Sequence, residues 1–131
     1  MKTMTVILVM VAIVVAVPLF GAPKSDAPKY DRSTEITLKG TIEQVNDREC
    51  PVSGGMGSHL ILKLADAKTI EIHLASTKFV AAYDLVFHKG EEIEVTGSKV
   101  KLEGVETIYA REIKRGTDTF VFRDKEGNPI W

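Results

Sequence analysis

The sequence predicts an all-β domain with little helix: a closed barrel of five strands, with one short helix between the third and fourth strands. Two observations lead to this prediction. Apolar and polar residues alternate in five separate segments after residue 33, and one further segment has the spacing of a helix. With 44% hydrophobic and 27% charged residues, the chain can bury a core without disulfides, and its single cysteine excludes a disulfide framework.

The first 22 residues predict export. Residues 4–20 (MTVILVMVAIVVAVPLF) form an apolar run without any charge, preceded by Lys2. Pro18 and the small residues Gly21 and Ala22 suit a cleaved signal peptide, whereas the length of the run also suits an uncleaved membrane anchor. Residues 23–33 contain prolines and mixed charges, which predicts a flexible linker. We therefore expect a periplasmic or secreted protein that contacts the membrane only through an uncleaved N-terminal segment.

The first predicted strand covers residues 34–46. Ile36, Leu38 and Ile42 alternate with polar residues, and Gly40 stands in phase with them, which marks a bend. Val45 breaks the alternation, which indicates a bulge. Residues 47–58 (DRECPVSGGMGS) contain a proline and three glycines and show no periodicity, so we predict a loop.

Residues 59–64 and 70–75 predict a hairpin of the second and third strands. The favoured register sets aliphatic residues of the two strands opposite one another: Leu60, Leu62 and Leu64 against Leu74, Ile72 and Ile70. The same register pairs Lys63 with Glu71. It places His59 and His73 as diagonal neighbours on the outer face of the sheet, where we expect solvent.

The rest of the chain supplies the helix and two further strands. Ser76 or Thr77 caps a helix that we expect to run to about Val86. Residues 91–102 predict a bulged fourth strand and residues 106–113 a fifth, which completes a barrel domain over residues 34–115. Residues 116–131 predict a C-terminal β-ribbon that covers one end or an edge of the barrel.

Three strands, a short helix and two more strands follow one another as in the oligonucleotide/oligosaccharide-binding (OB) barrel. The segments ITLKGTIEQV, KGEEIEVTGSKV and TIYAREIKRG resemble the exported bacterial OB-fold (BOF-like) family of small periplasmic proteins. The resemblance covers residues 30 to about 115. It implies a non-catalytic binding module of the envelope with an undefined ligand. The glycine loop around Cys50 and the tail at residues 119–131 depart from that family.

Four residues suggest a metal site. Cys50 and Met56 belong to the loop that enters the second strand, and His59 and His73 are neighbours in the predicted hairpin. A thiolate, a thioether and two imidazoles suit copper in either oxidation state. In the alternative interpretation, the histidines are solvated on the sheet face, Cys50 is a loop thiol and Met56 packs against its neighbours.

The outer face also suggests a binding surface for an envelope protein, a small ligand or a glycan. Its candidate residues come from the hairpin and from the glycine loop: His59, Ile61, His73, Gly54, Gly55 and Gly57. Residues 59–75 contain no Phe, Tyr or Trp on which a base could stack, and the formal net charge is -1, which argues against single-stranded nucleic acid. The chain has no Cys-x-x-Cys pair and no recognisable nucleophile motif, so we predict no enzyme.

Overall fold

The computed structural model describes residues 27–131, so the predicted export segment lies outside the described residues. A 3-10 turn at Arg32–Thr34 precedes six strands and one helix. They are β1 (Glu35–Cys50), β2 (Gly55–Lys63), β3 (Thr69–Ser76), α1 (Thr77–Ala82), β4 (Glu92–Leu102), β5 (Val105–Arg115) and β6 (Asp118–Val121). Within residues 27–131, no helix has the length and apolarity needed to cross a membrane.

The strands form one sheet in the order β3-β2-β1-β4-β5-β6, with antiparallel neighbours. β3 also pairs with β5 in parallel, through Glu71–His73 and Thr107–Tyr109, and this pairing closes β1 to β5 into a ring. The prediction of a mostly β domain with a short helix between the third and fourth strands is confirmed. β6 extends the sheet beyond β5 and begins the C-terminal tail.

β1 pairs with β4 through its first half and with β2 through its second half, with a bulge between Ile42 and Gln44. The predicted loop at residues 47–58 is wrong for most of its length. Residues 47–50 pair with residues 55–58, and only the turn at residues 51–54 remains between the strands. Because glycines occupy positions 55 and 57, this segment shows no alternation of apolar and polar side chains, and nothing in the sequence indicated a strand. The hydrogen bonds between the strands involve only the backbone, so they form without that alternation.

The predicted hairpin of β2 and β3 exists, but its predicted register is wrong by two residues. Leu60 pairs with Ile72 and Leu62 with Ile70, after a bulge between Ser58 and His59. A shift of two residues keeps every side chain on its face of the sheet, so the aliphatic residues still meet. The predicted pair of Lys63 and Glu71 is not formed; Lys63 lies opposite Thr69.

The helix α1 begins as predicted and ends earlier. Ser76 is its N-cap, and its side chain accepts a hydrogen bond of 3.3 Å from the backbone N–H of Phe79. The helix ends at Ala82 rather than near Val86, because Tyr83 leaves the helical region and Asp84 adopts a positive φ of 51°.

Side chains on the two faces of the ring form two clusters. The main core lies inside the ring and contains aliphatic residues from all five ring strands together with Phe87 and Phe122: Ile42, Leu60, Leu62, Ile72, Leu74, Ala75, Ile93, Val95, Ile108, Ala110 and Ile113. A second cluster, on the opposite face, consists of Cys50, Leu102 and Tyr109, with Tyr30 and Val52 packed against it. Successive side chains of β5 point to opposite faces of the sheet, so Ile108 and Ala110 belong to the main core and Tyr109 to the second cluster.

The C-terminal tail is fastened to β5. The backbone N–H groups of Phe122 and Arg123 both donate to the carbonyl of Arg111, at 2.8 and 3.2 Å. The tail then turns back, so that Ile130 N–H donates to the carbonyl of Phe122 at 3.2 Å and Trp131 reaches the ring of His73. Arg123 of the tail therefore lies over the ring of Tyr109 in the second cluster, whereas Phe122 belongs to the main core and Trp131 packs against it.

Candidate metal centre

Three residues with metal-ligating side chains meet on the face of the sheet that carries the second cluster. Cys50 ends β1, His59 lies on β2, and His73 lies directly opposite His59 on β3. One ligand atom from each residue lies within 4.8 Å of the other two. Cys50 is 3% exposed and both histidines are fully buried. The structure therefore brings together three of the four residues that the sequence suggested for a metal site.

The predicted surroundings of the histidines are wrong. They were expected as diagonal neighbours on a solvent-exposed face, but they are directly paired, with ring centroids 4.9 Å apart. Tyr109 and Trp131 each place a ring centroid 5.7 Å from that of His73. These rings come from β5 and the C-terminal tail, so contacts that are distant in sequence bury the histidines.

The Nε2 atoms of the two histidines lie beside the turn between β1 and β2. The Nε2 atom of His73 lies 2.9 Å from the hydroxyl of Ser53. A β-carbon placed on Gly57 would lie 2.6 Å from that hydroxyl oxygen, 3.2 Å from the Cβ of Cys50 and 3.3 Å from the Nε2 of His59. Glycine at position 57 thus leaves room for the side chains of Cys50, Ser53 and His59 to converge.

Three buried nitrogens in this group lack hydrogen-bond partners among the described residues: Nδ1 and Nε2 of His59, and Nδ1 of His73. A buried polar atom without a partner costs free energy, and most such atoms in folded proteins are paired. Each neutral imidazole has one nitrogen with a free lone pair, which is the atom that binds a metal ion.

Glu71 supports the site from behind His59. Its Oε1 atom lies 2.9 Å from Nδ1 of His59 and accepts hydrogen bonds from Arg48, at 2.9 Å from Nη2 and 3.2 Å from Nε. The contact with His59 has the length of an ion pair and holds the carboxylate against the ring. A carboxylate on the outer nitrogen of a histidine is the usual support of a metal-bound imidazole, because it fixes the tautomer and the orientation of the ring.

Both histidines are held in the neutral form. Burial, followed by the repulsion that a protonated His59 and Arg123 would exert, lowers the pKa of His73 to about 3. Burial and the charge of Arg48 also lower the pKa of His59, although Glu71 opposes this effect. Near neutral pH, a metal ion would therefore meet little competition from protons at either imidazole.

The other predicted site residues lie around this group. Met56 is paired with Glu49 and is 48% exposed, in contrast to the three buried residues. Gly54 and Gly55 lie at the turn with open space around their α-carbons. Ile61 lies opposite Glu71 and is partly buried.

Sequence reasoning missed the roles of Ser53, Glu71 and Arg48. Glu71 precedes His73 by two residues on the same strand, so strand alternation alone places both side chains on one face. That signal was available. The contacts of Ser53 and Arg48 depend on the pairing of residues 47–50 with 55–58, which the predicted loop excluded.

Ring and site together define a small β protein in which one face of a closed sheet buries a cysteine and two histidines. A family model described as the MamS/MamX magnetosome protein family matches residues 34–120, which is more than half of the chain. The chain belongs to this family. No curated protein matches its sequence.

Proposed function

We propose that this protein is a non-catalytic, exported binding module that holds one copper ion through Cys50, His59 and His73. The observation that carries the proposal is the burial of three ligand atoms within 4.8 Å of one another. Metal coordination would give one unpaired nitrogen of each histidine a partner. We expect no catalytic activity.

The donor set favours copper. One thiolate and two imidazoles form the trigonal set of copper electron-transfer sites, and thiolate ligands select Cu(I). Structural zinc sites use four ligands in a tetrahedron. Metal–ligand bonds of about 2.0–2.3 Å place the ligand atoms of a trigonal site roughly 3.5–4.0 Å apart, so ligand atoms that lie within 4.8 Å of one another would need to approach by no more than about 1 Å.

The OB interpretation forms part of the proposal. The ring order β1-β2-β3-β5-β4, closed by a parallel pairing of β3 and β5, and a helix between β3 and β4 support it. Membership of a magnetosome protein family supports a role at the magnetosome. The apolar run at residues 4–20 supports export to the envelope, with a protein or glycan of that compartment as partner rather than nucleic acid.

A competition titration tests the copper site. The purified protein is titrated with Cu(I) in the presence of a chromophoric chelator, and we expect one equivalent to bind. Cys50→Ser and His73→Gln should each weaken binding by about 100-fold or more, since loss of a supporting residue alone costs about 10- to 100-fold. His88→Ala is the matched control, because His88 is the remaining histidine and its side chain is 69% exposed beside Glu91.

Two results would overturn the proposal. Equal affinities for wild type and Cys50→Ser would show that copper binds elsewhere. One equivalent of zinc bound through the same residues, with copper unable to displace it, would contradict the assignment of copper.

A further inference from the structure

A second site lies beside the candidate metal centre. A cavity of about 340 Å³ opens between the segment before β1, the turn after β1 and the C-terminal tail. Its walls include Lys29, Tyr30, Pro51, Tyr109, Arg123 and Trp131. The volume falls in the lower part of the range of about 300–1,000 Å³ that small-molecule sites occupy. Cys50, His59 and His73 are not part of its lining.

Arg123 is a buried cation whose charge has no acidic partner among residues 27–131. It is 5% exposed, and its Nη1 donates a hydrogen bond of 2.9 Å to the carbonyl of Gly127. No ion pair involving Arg123 occurs in this part of the chain, although arginine keeps its charge in proteins. A buried charge is normally paired, because removing it from water is costly.

The buried polar atoms around Arg123 that have no hydrogen-bond partner can all donate hydrogen bonds. Within the described residues, the Nε of Arg123, the hydroxyl of Tyr109 and the Nε1 of Trp131 are buried without a partner. A tyrosine hydroxyl carries its proton at neutral pH and can donate it in a hydrogen bond. Lys29 adds a positive charge at the cavity, and Glu126, which is exposed, is the acidic residue in its lining.

We infer that this cavity binds a small carboxylate anion through Arg123, Tyr109 and Trp131. A planar guanidinium matches a carboxylate in shape and charge, and hydrogen bonds between charged groups are the stronger ones. The rings of Tyr30, Tyr109 and Trp131 lie 5.2 to 5.5 Å from the guanidinium carbon and form apolar walls. The inference goes beyond copper binding and does not depend on it, since the donors are not the metal ligands.

The sole tryptophan of the chain, Trp131, provides the readout. The metal-free protein is titrated with citrate or succinate at pH 7, with ionic strength held constant by sodium chloride, and with inorganic phosphate in a parallel series. We expect a saturable change in fluorescence with the carboxylates. Saturation by phosphate alone would overturn the assignment to carboxylates, and no saturation with any anion would overturn the site.

Arg123→Gln should weaken carboxylate binding by at least about tenfold, which corresponds to the loss of one charged hydrogen bond. Arg115→Gln is the matched control. Arg115 also lies over two aromatic rings, at 5.1 Å from Phe87 and 4.9 Å from Phe120, but it pairs with Glu91 away from the cavity. Equal affinity in wild type and Arg123→Gln would mean that Arg123 does not bind the anion, and the inference would fail.

A second variant keeps the test decisive if Arg123→Gln does not fold. Lys29 is exposed, so Lys29→Glu should leave the fold intact. Because the substitution reverses a charge at the cavity, it should lower the affinity for the anion several-fold. Saturating citrate should also raise the melting temperature of the wild type more than chloride does. Unchanged affinity in Lys29→Glu together with no rise in melting temperature would refute the site. Cys50→Ser should bind the anion normally, which separates this result from a failure of the copper proposal.

Discussion

Among individual side chains, Glu71 has the clearest predicted effect on the metal centre. Its carboxylate is 15% exposed and lies between Arg48 and His59. Glu71→Gln should lower metal affinity by about 10- to 100-fold, because the imidazole of His59 loses the charge that orients it and raises its basicity. Glu103→Gln is the control, since Glu103 also pairs with Arg48 but is 54% exposed. Equal losses in the two variants, measured by chelator competition, would contradict the supporting role of Glu71.

The lowered pKa of His73 predicts how the stability of the metal-free protein depends on pH. Its pKa is about 3 in the folded protein and about 6.5 in the unfolded chain, so below pH 6.5 the unfolded chain binds a proton that the folded protein does not. Stability should therefore fall as the pH falls from about 6.5 towards 3, by up to about 1.4 kcal/mol per pH unit for this group. His59 adds to the effect, because its pKa is also lowered.

Urea unfolding at several pH values measures this slope. His73→Phe should flatten the pH dependence of the unfolding free energy between pH 6.5 and 4.5, whereas His88→Ala, at an exposed position, should leave it unchanged. An unaltered slope in His73→Phe would show that the buried imidazole does not resist protonation.

Among the elements, β1 depends on a close approach to β2 at Gly40. A β-carbon on Gly40 would collide with the carbonyl oxygen of Lys63 and would lie 2.7 Å from the Cγ of Leu62. Gly40→Ala should therefore destabilise the protein by about 1–3 kcal/mol or more, because the backbone of two paired strands must move apart. Gly55→Ala is the matched control in β2, with no atom within 4 Å of the added carbon. Similar unfolding midpoints in urea for the two variants would contradict this account of the bend.

The strands themselves could be predicted, but their pairing could not. Alternation specifies which face a side chain occupies, and a slip of two residues leaves every face unchanged, so Leu60 could be assigned to Leu74 when it pairs with Ile72. The same slip is why His59 and His73 were expected as diagonal rather than direct neighbours. The extension of β1 to Cys50 was not predicted, because its partner segment in β2 contains Gly55 and Gly57 and shows no alternation of apolar and polar residues.

Across the whole protein, closure of the ring by β3 and β5 determines what lies on each face. Sequence reasoning found the five strands, the position of the helix and three members of the buried group. It did not find their burial, because that depends on Tyr109 of β5 and on Trp131 at the far end of the tail. The cavity around Arg123 was missed for the same reason. Its walls come from segments that are adjacent only after folding.

The central claim is that one copper ion binds between β1, β2 and β3. X-ray absorption at the copper edge, on protein loaded with one equivalent of Cu(I), tests it most directly. The account predicts one sulfur and two imidazole nitrogens around the metal, with the sulfur absent in Cys50→Ser. A coordination shell of nitrogen and oxygen alone in the wild-type protein would contradict it.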